Sequence, residues 1–307
     1  MNMLNWRVFS MLTLAMLSIG VFTGSVNAEN LTVRDVDGDV AVPVNPAKVV
    51  VFDLASLDTL SALGVDVAGV PGGNKPPYLK QYEDERYAKV GTVFEPDFEA
   101  VAALEPDLII VGGRSGAKKA ELSKLATTIN LSVNGNSYFA DAKNNILTLG
   151  KIFAKTEQAE SIVSRLDQAA AELRSKTATA GTGLLVLTTG GKMSTFGAGS
   201  RFGILFGDYG VRPADDNVKV GLHGQPATFE YILEKNPDWL YVIDRDAAIG
   251  RDGAAAKQVL DNEIVQQTAA YQAGHVVLLN PTSWYSVGGG ATSLKVAIDQ
   301  LTAAHNH

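Results

Sequence analysis

A helix–turn–strand segment occurs twice in this 307-residue sequence, at a constant offset of 131 positions. The first copy is FEAVAALEPDLIIVGGR at 98–114, and the second is FEYILEKNPDWLYVIDR at 229–245. Both begin with Phe-Glu, turn at Pro-Asp and end on arginine. A repeated unit of this kind predicts two related α/β lobes, each with its own parallel sheet and with a ligand cleft between them.

The sequence around the two copies extends this α/β pattern. KVVVFD at 48–53 is an apolar run of strand length, and a helical pattern follows it at 54–64. The stretch 138–178 lacks proline and predicts two helices, the second of them long. Strand and helix patterns alternate again from 183 onward. The predicted divisions are a signal peptide (1–28), an N-terminal lobe (29–153), a linker helix (154–177) and a C-terminal lobe (178–307).

The first 28 residues have the features of an export signal. Arg7 is their only charge, MLTLAMLSIGVF at 11–22 is a short apolar core, and small residues precede the predicted cleavage site after Ala28. The apolar core is shorter than the roughly 20 residues that a membrane span requires. The sequence has no cysteine. We therefore expect a periplasmic or secreted protein without disulfides and without a lipid attached through cysteine.

The charge balance limits the class of partner. The formal net charge is −7, and it becomes −8 once Arg7 is removed with the signal peptide. This balance argues against nucleic acid or an anionic membrane as the partner. About 280 mature residues suffice to bury a large core in each of two lobes, and we expect a monomer.

Arg114 and Arg245, which end the two copies, each follow a predicted strand directly. In open α/β sheets the binding groups gather beyond the carboxyl ends of the strands. One arginine in such a place would more often be an ordinary surface residue, but a matched pair in two lobes favours a ligand site. Glu99 and Glu230 form a second matched pair in the first turn of the repeated helices. They either stabilise the helix dipole or dock the protein on a partner.

The whole mature sequence resembles the periplasmic binding proteins of ABC importers for ferric siderophores, also called class III or helical-backbone binding proteins. The resemblance runs from PAKVVVFDLASLDTLSALG (46–64) and EPDLIIVGGR (105–114) through GLHGQPATFEYILEKNPDWLYVIDR (221–245) to PTSWYSVGGG (281–290). It is strongest for the branch that handles catecholate siderophores of the petrobactin type. It implies two Rossmann-like lobes joined by one long helix, no enzymatic activity and no permanently bound cofactor.

The resemblance also implies the residues of the site. Three arginines would surround the anionic iron complex: Arg114, Arg201 in GAGSRFG, and Arg245. Arginine keeps its charge at any relevant pH, and its planar fork suits catecholate oxygens. His223 and Tyr285 would be direct Fe(III) ligands when the siderophore supplies only four of six donors. Without the resemblance, His223 would be a solvated loop histidine and Tyr285 a packed aromatic.

The resemblance gives the acidic pair a partner as well. Family members dock on a dimeric permease, and one acid on each lobe, Glu99 and Glu230, would meet its two halves. The predicted function is capture of a ferric catecholate and its delivery to an inner-membrane ABC importer.

Other functions fit the sequence less well. A haem or cobalamin binding protein of the same fold is the main alternative, because a Tyr–His site could serve either ligand. An enzyme is disfavoured because the sequence contains no nucleophile elbow, P-loop or H-E-x-x-H motif. GAGSRFG at 197–203 is one residue off the dinucleotide fingerprint, and no acid follows it at the expected place.

Overall fold

A computed structural model describes residues 30–251 and 256–306, so the predicted signal peptide lies outside the described residues. The chain begins with an antiparallel hairpin, β1 and β2, around Asp37-Gly38. The strands that follow form a parallel sheet in the order β5-β4-β3-β6-β7, which we call the first sheet. The elements of this part are β1 (Asn30–Asp35), β2 (Gly38–Pro43), β3 (Val49–Val51), α1 (Leu54–Ala62), β4 (Gly69–Val70), β5 (Ala88–Lys89), α2 (Phe98–Leu104), β6 (Leu108–Val111), α3 (Lys119–Leu122) and β7 (Thr128–Asn130).

The second sheet lies after two helices, α4 (Tyr138–Ile152) and α5 (Thr156–Thr177). Its strands lie in the order β11-β9-β8-β12-β13. The strands β8, β12 and β13 are parallel, β9 and β11 extend the sheet on one side as antiparallel strands, and β10 pairs in parallel with β8. The sequence pattern predicts β8, β12 and β13 but none of β9, β10 and β11. The elements are β8 (Thr182–Thr189), β9 (Lys192–Thr195), α6 (Ile204–Gly207), β10 (Arg212–Pro213), β11 (Gln225–Ala227), α7 (Phe229–Lys235), β12 (Trp239–Asp244), α8 (Arg245–Ala248), α9 (Ala256–Leu260), α10 (Ala269–Gln272), β13 (Val276–Leu278) and α11 (Ala291–Ala304).

The repeated segments adopt the same local structure in both sheets. Helices α2 and α7 are N-capped by the side chains of Asp97 and Thr228. Both end at a left-handed residue, Glu105 with φ 48° and Asn236 with φ 39°. The following Pro-Asp turn leads into β6 or β12, each of which lies next to a parallel strand at the centre of its sheet. The repeat therefore places Arg114 and Arg245 beyond equivalent strand ends.

Helix α5 connects the two halves of the chain and packs against α4 and α11. Its buried residues lie on one face, which joins a core that includes residues of both sheets. No helix in residues 30–251 and 256–306 combines the length and hydropathy that crossing a bilayer would require. The domain boundaries at 153/154 and 177/178 remain a prediction.

The two halves also meet where α1 caps α11. The carboxylate of Asp58 is fully buried and accepts hydrogen bonds from the backbone amides of Thr292 (3.1 Å) and Ser293 (2.8 Å). The hydroxyl of Thr59 accepts a third from the amide of Ala291 at 3.2 Å. The first amides of a helix have no partner within it, so the N-terminal half of the chain satisfies those of α11.

This contact predicts a specific pH dependence of stability. Burial raises the pKa of Asp58 to about 6, although the hydrogen bonds from Thr292 and Ser293 act in the opposite direction. Between the ordinary value of 3.8 and about 6, the folded protein keeps a proton that the unfolded chain has lost. This proton on Asp58 stabilises the folded state. Its contribution to the free energy of unfolding is complete below pH 3.8 and is lost as the pH rises through 6, and for a shift of this size the loss is about 3 kcal/mol.

Urea unfolding of the wild type and of Asp58→Asn between pH 4 and pH 7 measures this contribution. The wild-type free energy of unfolding, relative to that of the variant, should fall by up to about 3 kcal/mol across that range. All other carboxylates titrate in both proteins and cancel in the difference. A difference that stays constant with pH would contradict the assignment.

Candidate functional site

A cavity of about 710 Å³ lies beside the carboxyl ends of strands from both sheets. From the first half of the chain it is lined by residues that follow β3 and β6, among them Asp53 and Arg114. From the second half it is lined by residues 199–201, 220–222 and 284–288. Its position agrees with the rule that open parallel sheets bind ligands beyond their carboxyl ends. Its volume falls in the usual range for a small-molecule site.

Three arginines converge on one tyrosine at this cavity. The guanidinium groups of Arg114 and Arg201 each donate a hydrogen bond of 2.8 Å to the backbone carbonyl of Tyr285, and Arg114 also bonds the carbonyl of Ser286. Nε of Arg245 donates to the hydroxyl of Tyr285 at 2.8 Å. All three guanidinium carbons lie 4.8–5.6 Å from the centre of the Tyr285 ring. Such distances are typical of cation–π contacts.

Tyr285 is presented by a wide, π-type helical turn over Thr282–Val287. Turns of this kind are rare in proteins and are frequent at functional sites. Both Trp284 and Tyr285 line the cavity, but the side chain of Trp284 is buried, whereas that of Tyr285 is only partly buried. The turn therefore leaves the tyrosine more exposed than its aromatic neighbour.

The arginines change the acidity of Tyr285. Burial by itself raises the pKa of this phenol, but the hydrogen bond from Arg245 and the charges of Arg245, Arg201 and Arg114 together lower it below its ordinary value. Burial, and next the like charge of Arg114, lower the pKa of Arg201. The site thus concentrates positive charge and makes the phenolate form of Tyr285 easier to reach than in an ordinary tyrosine. Both properties suit an anionic ligand that contains a hard metal ion.

His223 lies near the cavity but is not among the residues that line it. Its neighbours Gly221 and Leu222 do line the cavity, and the imidazole itself is exposed. Gly224 has φ of 70°, a conformation that favours glycine. The structure therefore brings together Arg114, Arg201, Arg245 and Tyr285, and it places His223 at the edge of the same site.

The acidic pair lies away from the cavity. Glu99 and Glu230 occupy the first turns of α2 and α7, as the sequence predicted, and both side chains are exposed. Neither residue lines the cavity. Their placement is compatible with both earlier interpretations, a favourable charge at a helix N-terminus and a contact with a partner.

Asp53 and Phe94 are two of the cavity residues that the sequence analysis missed. Asp53 follows β3 and caps α1 by accepting hydrogen bonds from the amide (2.8 Å) and hydroxyl (2.7 Å) of Ser56. The rule that singled out Arg114, a polar residue just past a buried strand, could have found Asp53 too. Phe94 is 57% exposed, and its ring lies 6.0 Å from the guanidinium carbon of Arg114. No pattern in the sequence marks this loop aromatic as a cavity residue.

Metal chemistry by the protein alone has little basis in the described part of the chain. Within residues 30–251 and 256–306, no group of three or more histidine, aspartate or glutamate side chains could hold a metal ion. The sequence also lacks cysteine.

Comparisons with known proteins show which proteins this chain is similar to. The petrobactin-binding protein of Bacillus subtilis is 44% identical over 264 residues, which cover 85% of this chain and 83% of that protein. Its crystal structure superimposes with a TM-score of 0.87 over 91% of this chain and 99% of that one. The crystal structure of the catecholate-siderophore binding protein of Vibrio cholerae superimposes with a TM-score of 0.86 at 30% sequence identity, over 90% of this chain and 100% of that one. The ferric-anguibactin-binding protein of Vibrio anguillarum is 32% identical, over 86% of this chain and 84% of that protein.

A family model described as periplasmic binding protein matches residues 49–282. That range begins at the first strand of the first sheet and ends in the turn that carries Tyr285. It includes both sheets, the two helices between them and all three arginines that contact Tyr285. Because the match runs through the whole two-sheet fold, the chain belongs to the periplasmic binding protein family, whose members bind a substrate outside the cytoplasm without transforming it.

Proposed function

We propose that this protein binds a ferric catecholate siderophore in the cavity and delivers it to an inner-membrane ABC importer. The observation that carries the proposal is the convergence of Arg114, Arg201 and Arg245 on Tyr285 in a protein whose net charge is −7. Two catecholates bring four negative charges to one Fe(III), and three bring six, so the complexes are anionic. An acidic protein needs such a local positive cluster to retain them.

The proposed roles of the site residues follow from their chemistry. Arg114 and Arg201 line the cavity and would hold the negative charge of the chelate. Tyr285 would supply a phenolate to the iron when the siderophore leaves coordination positions open, and His223 would supply an imidazole from the cavity edge. Because His223 does not line the cavity in this structure, ligation would require its side chain or its loop to turn toward the iron.

A titration of tryptophan fluorescence tests the function directly. The panel consists of a ferric bis-catecholate, a ferric tris-catecholate, a ferric hydroxamate, haemin and cobalamin. We expect the anionic catecholates to bind and the uncharged hydroxamate to bind weakly or not at all. Tight binding of haemin with a Soret band, or of cobalamin, with no binding of the catecholates would contradict the proposal.

We also propose that the protein acts in the periplasm after removal of residues 1–28, and that Glu99 and Glu230 dock it on the permease. Replacing both glutamates with alanine is expected to abolish siderophore-dependent iron uptake and to leave the dissociation constant of the chelate unchanged. The reason is that both side chains are exposed and lie outside the cavity. Uptake of radioactive iron by cells and fluorescence titration of the purified variant measure the two effects.

The matched control for this pair is the double variant Glu160→Ala and Glu172→Ala on α5. It removes the same charge from two exposed positions of the same protein. Uptake that stays normal in the Glu99/Glu230 variant, or falls equally in the control, would rule out a specific docking role.

A further inference from the structure

Arg245 differs from the other two arginines in what it contacts. Arg114 and Arg201 line the cavity and bond the backbone carbonyl of Tyr285. Arg245 is not among the lining residues, and its Nε instead donates to the hydroxyl of Tyr285 at 2.8 Å. It is therefore the member of the trio that holds the functional oxygen of the tyrosine.

Arg245 is in turn held by Thr189, the last residue of β8. Nη1 of Arg245 donates to the Thr189 hydroxyl at 3.2 Å. That hydroxyl donates to a carboxylate oxygen of Asp246 at 3.0 Å, and the other carboxylate oxygen accepts from the amide of Gly190 at 2.6 Å. A hydroxyl has one hydrogen to donate, and Asp246 takes it. The lone pairs of the Thr189 oxygen are thereby left to receive the guanidinium.

The carboxylate of Asp246, which ends this series of hydrogen bonds, is held firmly in place. Asp246 is only 7% exposed. The hydrogen bonds from Gly190 and Thr189 lower the pKa of its carboxyl, so its carboxylate provides a negative charge close to the guanidinium of Arg245. Its closest approach to Nη1 of Arg245 is 4.0 Å, too long for a direct hydrogen bond. Thr189 therefore transmits the position of the carboxylate to the guanidinium.

We propose that Arg245 is a positioning residue for the Tyr285 hydroxyl, and that Thr189 and Asp246 hold Arg245 in place for that role. The inference rests on the proposed function and refines it. Arg114 and Arg201 attract the chelate as a charged body, whereas Arg245 acts on the iron through Tyr285. An oxygen with several lone pairs can accept from Arg245 and still offer one to a metal.

The first test is Thr189→Val, which removes the hydroxyl while it keeps the branched shape and the charge of the site. We expect about fivefold weaker binding of a ferric bis-catecholate, the factor that one ordinary hydrogen bond is worth. Binding of a ferric tris-catecholate, which needs no donor from Tyr285, should change less than about twofold. Thr189→Ser restores the hydroxyl and should restore the affinity. Equal loss for both chelates, or no rescue by serine, would overturn the inference.

The second test is a double-mutant cycle between Arg245→Met and Tyr285→Phe with the same two probes. Arg245→Met should weaken bis-catecholate binding about 10- to 100-fold in the wild type, the range for a hydrogen bond to a charged group. In the Tyr285→Phe background it should cost no more than about twofold, because the hydroxyl through which it acts is gone. An undiminished loss in that background would show that Arg245 contacts the chelate itself.

A crystal structure of Thr189→Val without chelate gives a readout that does not depend on siderophore binding. We expect the Arg245–Tyr285 hydrogen bond of 2.8 Å to lengthen beyond hydrogen-bonding distance. An unchanged contact would refute the role of Thr189 whatever the ligand is. If the wild type binds no catecholate but the contact is lost in the variant, the proposed function fails and the positioning role stands.

Discussion

Replacing Arg114 and Arg201 together with methionine is expected to weaken binding of ferric bis- and tris-catecholates alike, by about 10²- to 10⁴-fold. Each guanidinium offers the chelate a charged hydrogen bond worth roughly 1.5–3 kcal/mol, and a factor of ten corresponds to about 1.4 kcal/mol. Methionine retains most of the aliphatic volume and removes the charge. Because both arginines contact Tyr285, their single effects are not expected to add strictly.

Fluorescence titration with both chelates measures this loss, and thermal unfolding shows whether the variant is folded. The control is Arg165→Met on the exposed face of α5, which removes the same type of charge from a residue that does not line the cavity. A loss of less than about tenfold for the double variant, or a comparable loss for the control, would mean that the cavity arginines are not the anion site.

The double variant Tyr285→Phe and His223→Ala is expected to separate the two chelates instead. A linear bis-catecholate fills four of the six positions of Fe(III), so it gains two donors from the protein. Each donor bond should be worth at least as much as a charged hydrogen bond, and losing both should weaken binding roughly 100-fold or more. A tris-catecholate already saturates the iron, so its affinity should change less than about fivefold.

The visible spectrum gives a second measurement of the same prediction. Direct ligation by a phenolate adds a charge-transfer contribution to that of the catecholates, and it should be absent from the Tyr285→Phe complex. The matched pair His223→Leu and His275→Leu distinguishes the site histidine from His275, which immediately precedes β13 and whose ring stacks on Trp239 with the ring centres 3.9 Å apart. Equal losses for both chelates would rule out ligation by Tyr285 and His223.

Much of the fold was predictable because it depends on local patterns that repeat. The linker helix predicted at 154–177 extends over Thr156–Thr177. It is a long periodic segment, for which apolar spacing is most informative. The antiparallel strands β9 and β11 were missed because their four and three residues are too short to show alternation.

The roles of the glycines at 288–290 show where sequence reasoning stops. A triple glycine predicts a close approach of the backbone to another group. In the structure, a Cβ on Gly288 would lie 2.6 Å from the hydroxyl of Tyr138, and one on Gly290 would lie 2.3 Å from the carboxylate of Asp58. The glycines let the second half of the chain pack against two side chains of the first. No local signal names those partners.

The sequence by itself determined that two α/β units are present, that a long helix joins them, and that an arginine follows an equivalent strand in each. These properties arise from periodicity, turn chemistry and repetition, which act between residues close in the chain. Only the tertiary structure decided that Arg114, Arg201 and Arg245 meet at Tyr285, across separations of 171, 84 and 40 residues. It also decided that Arg245 faces the hydroxyl and the others the backbone. Such contacts depend on how the two sheets pack together, and packing is set by the whole core at once.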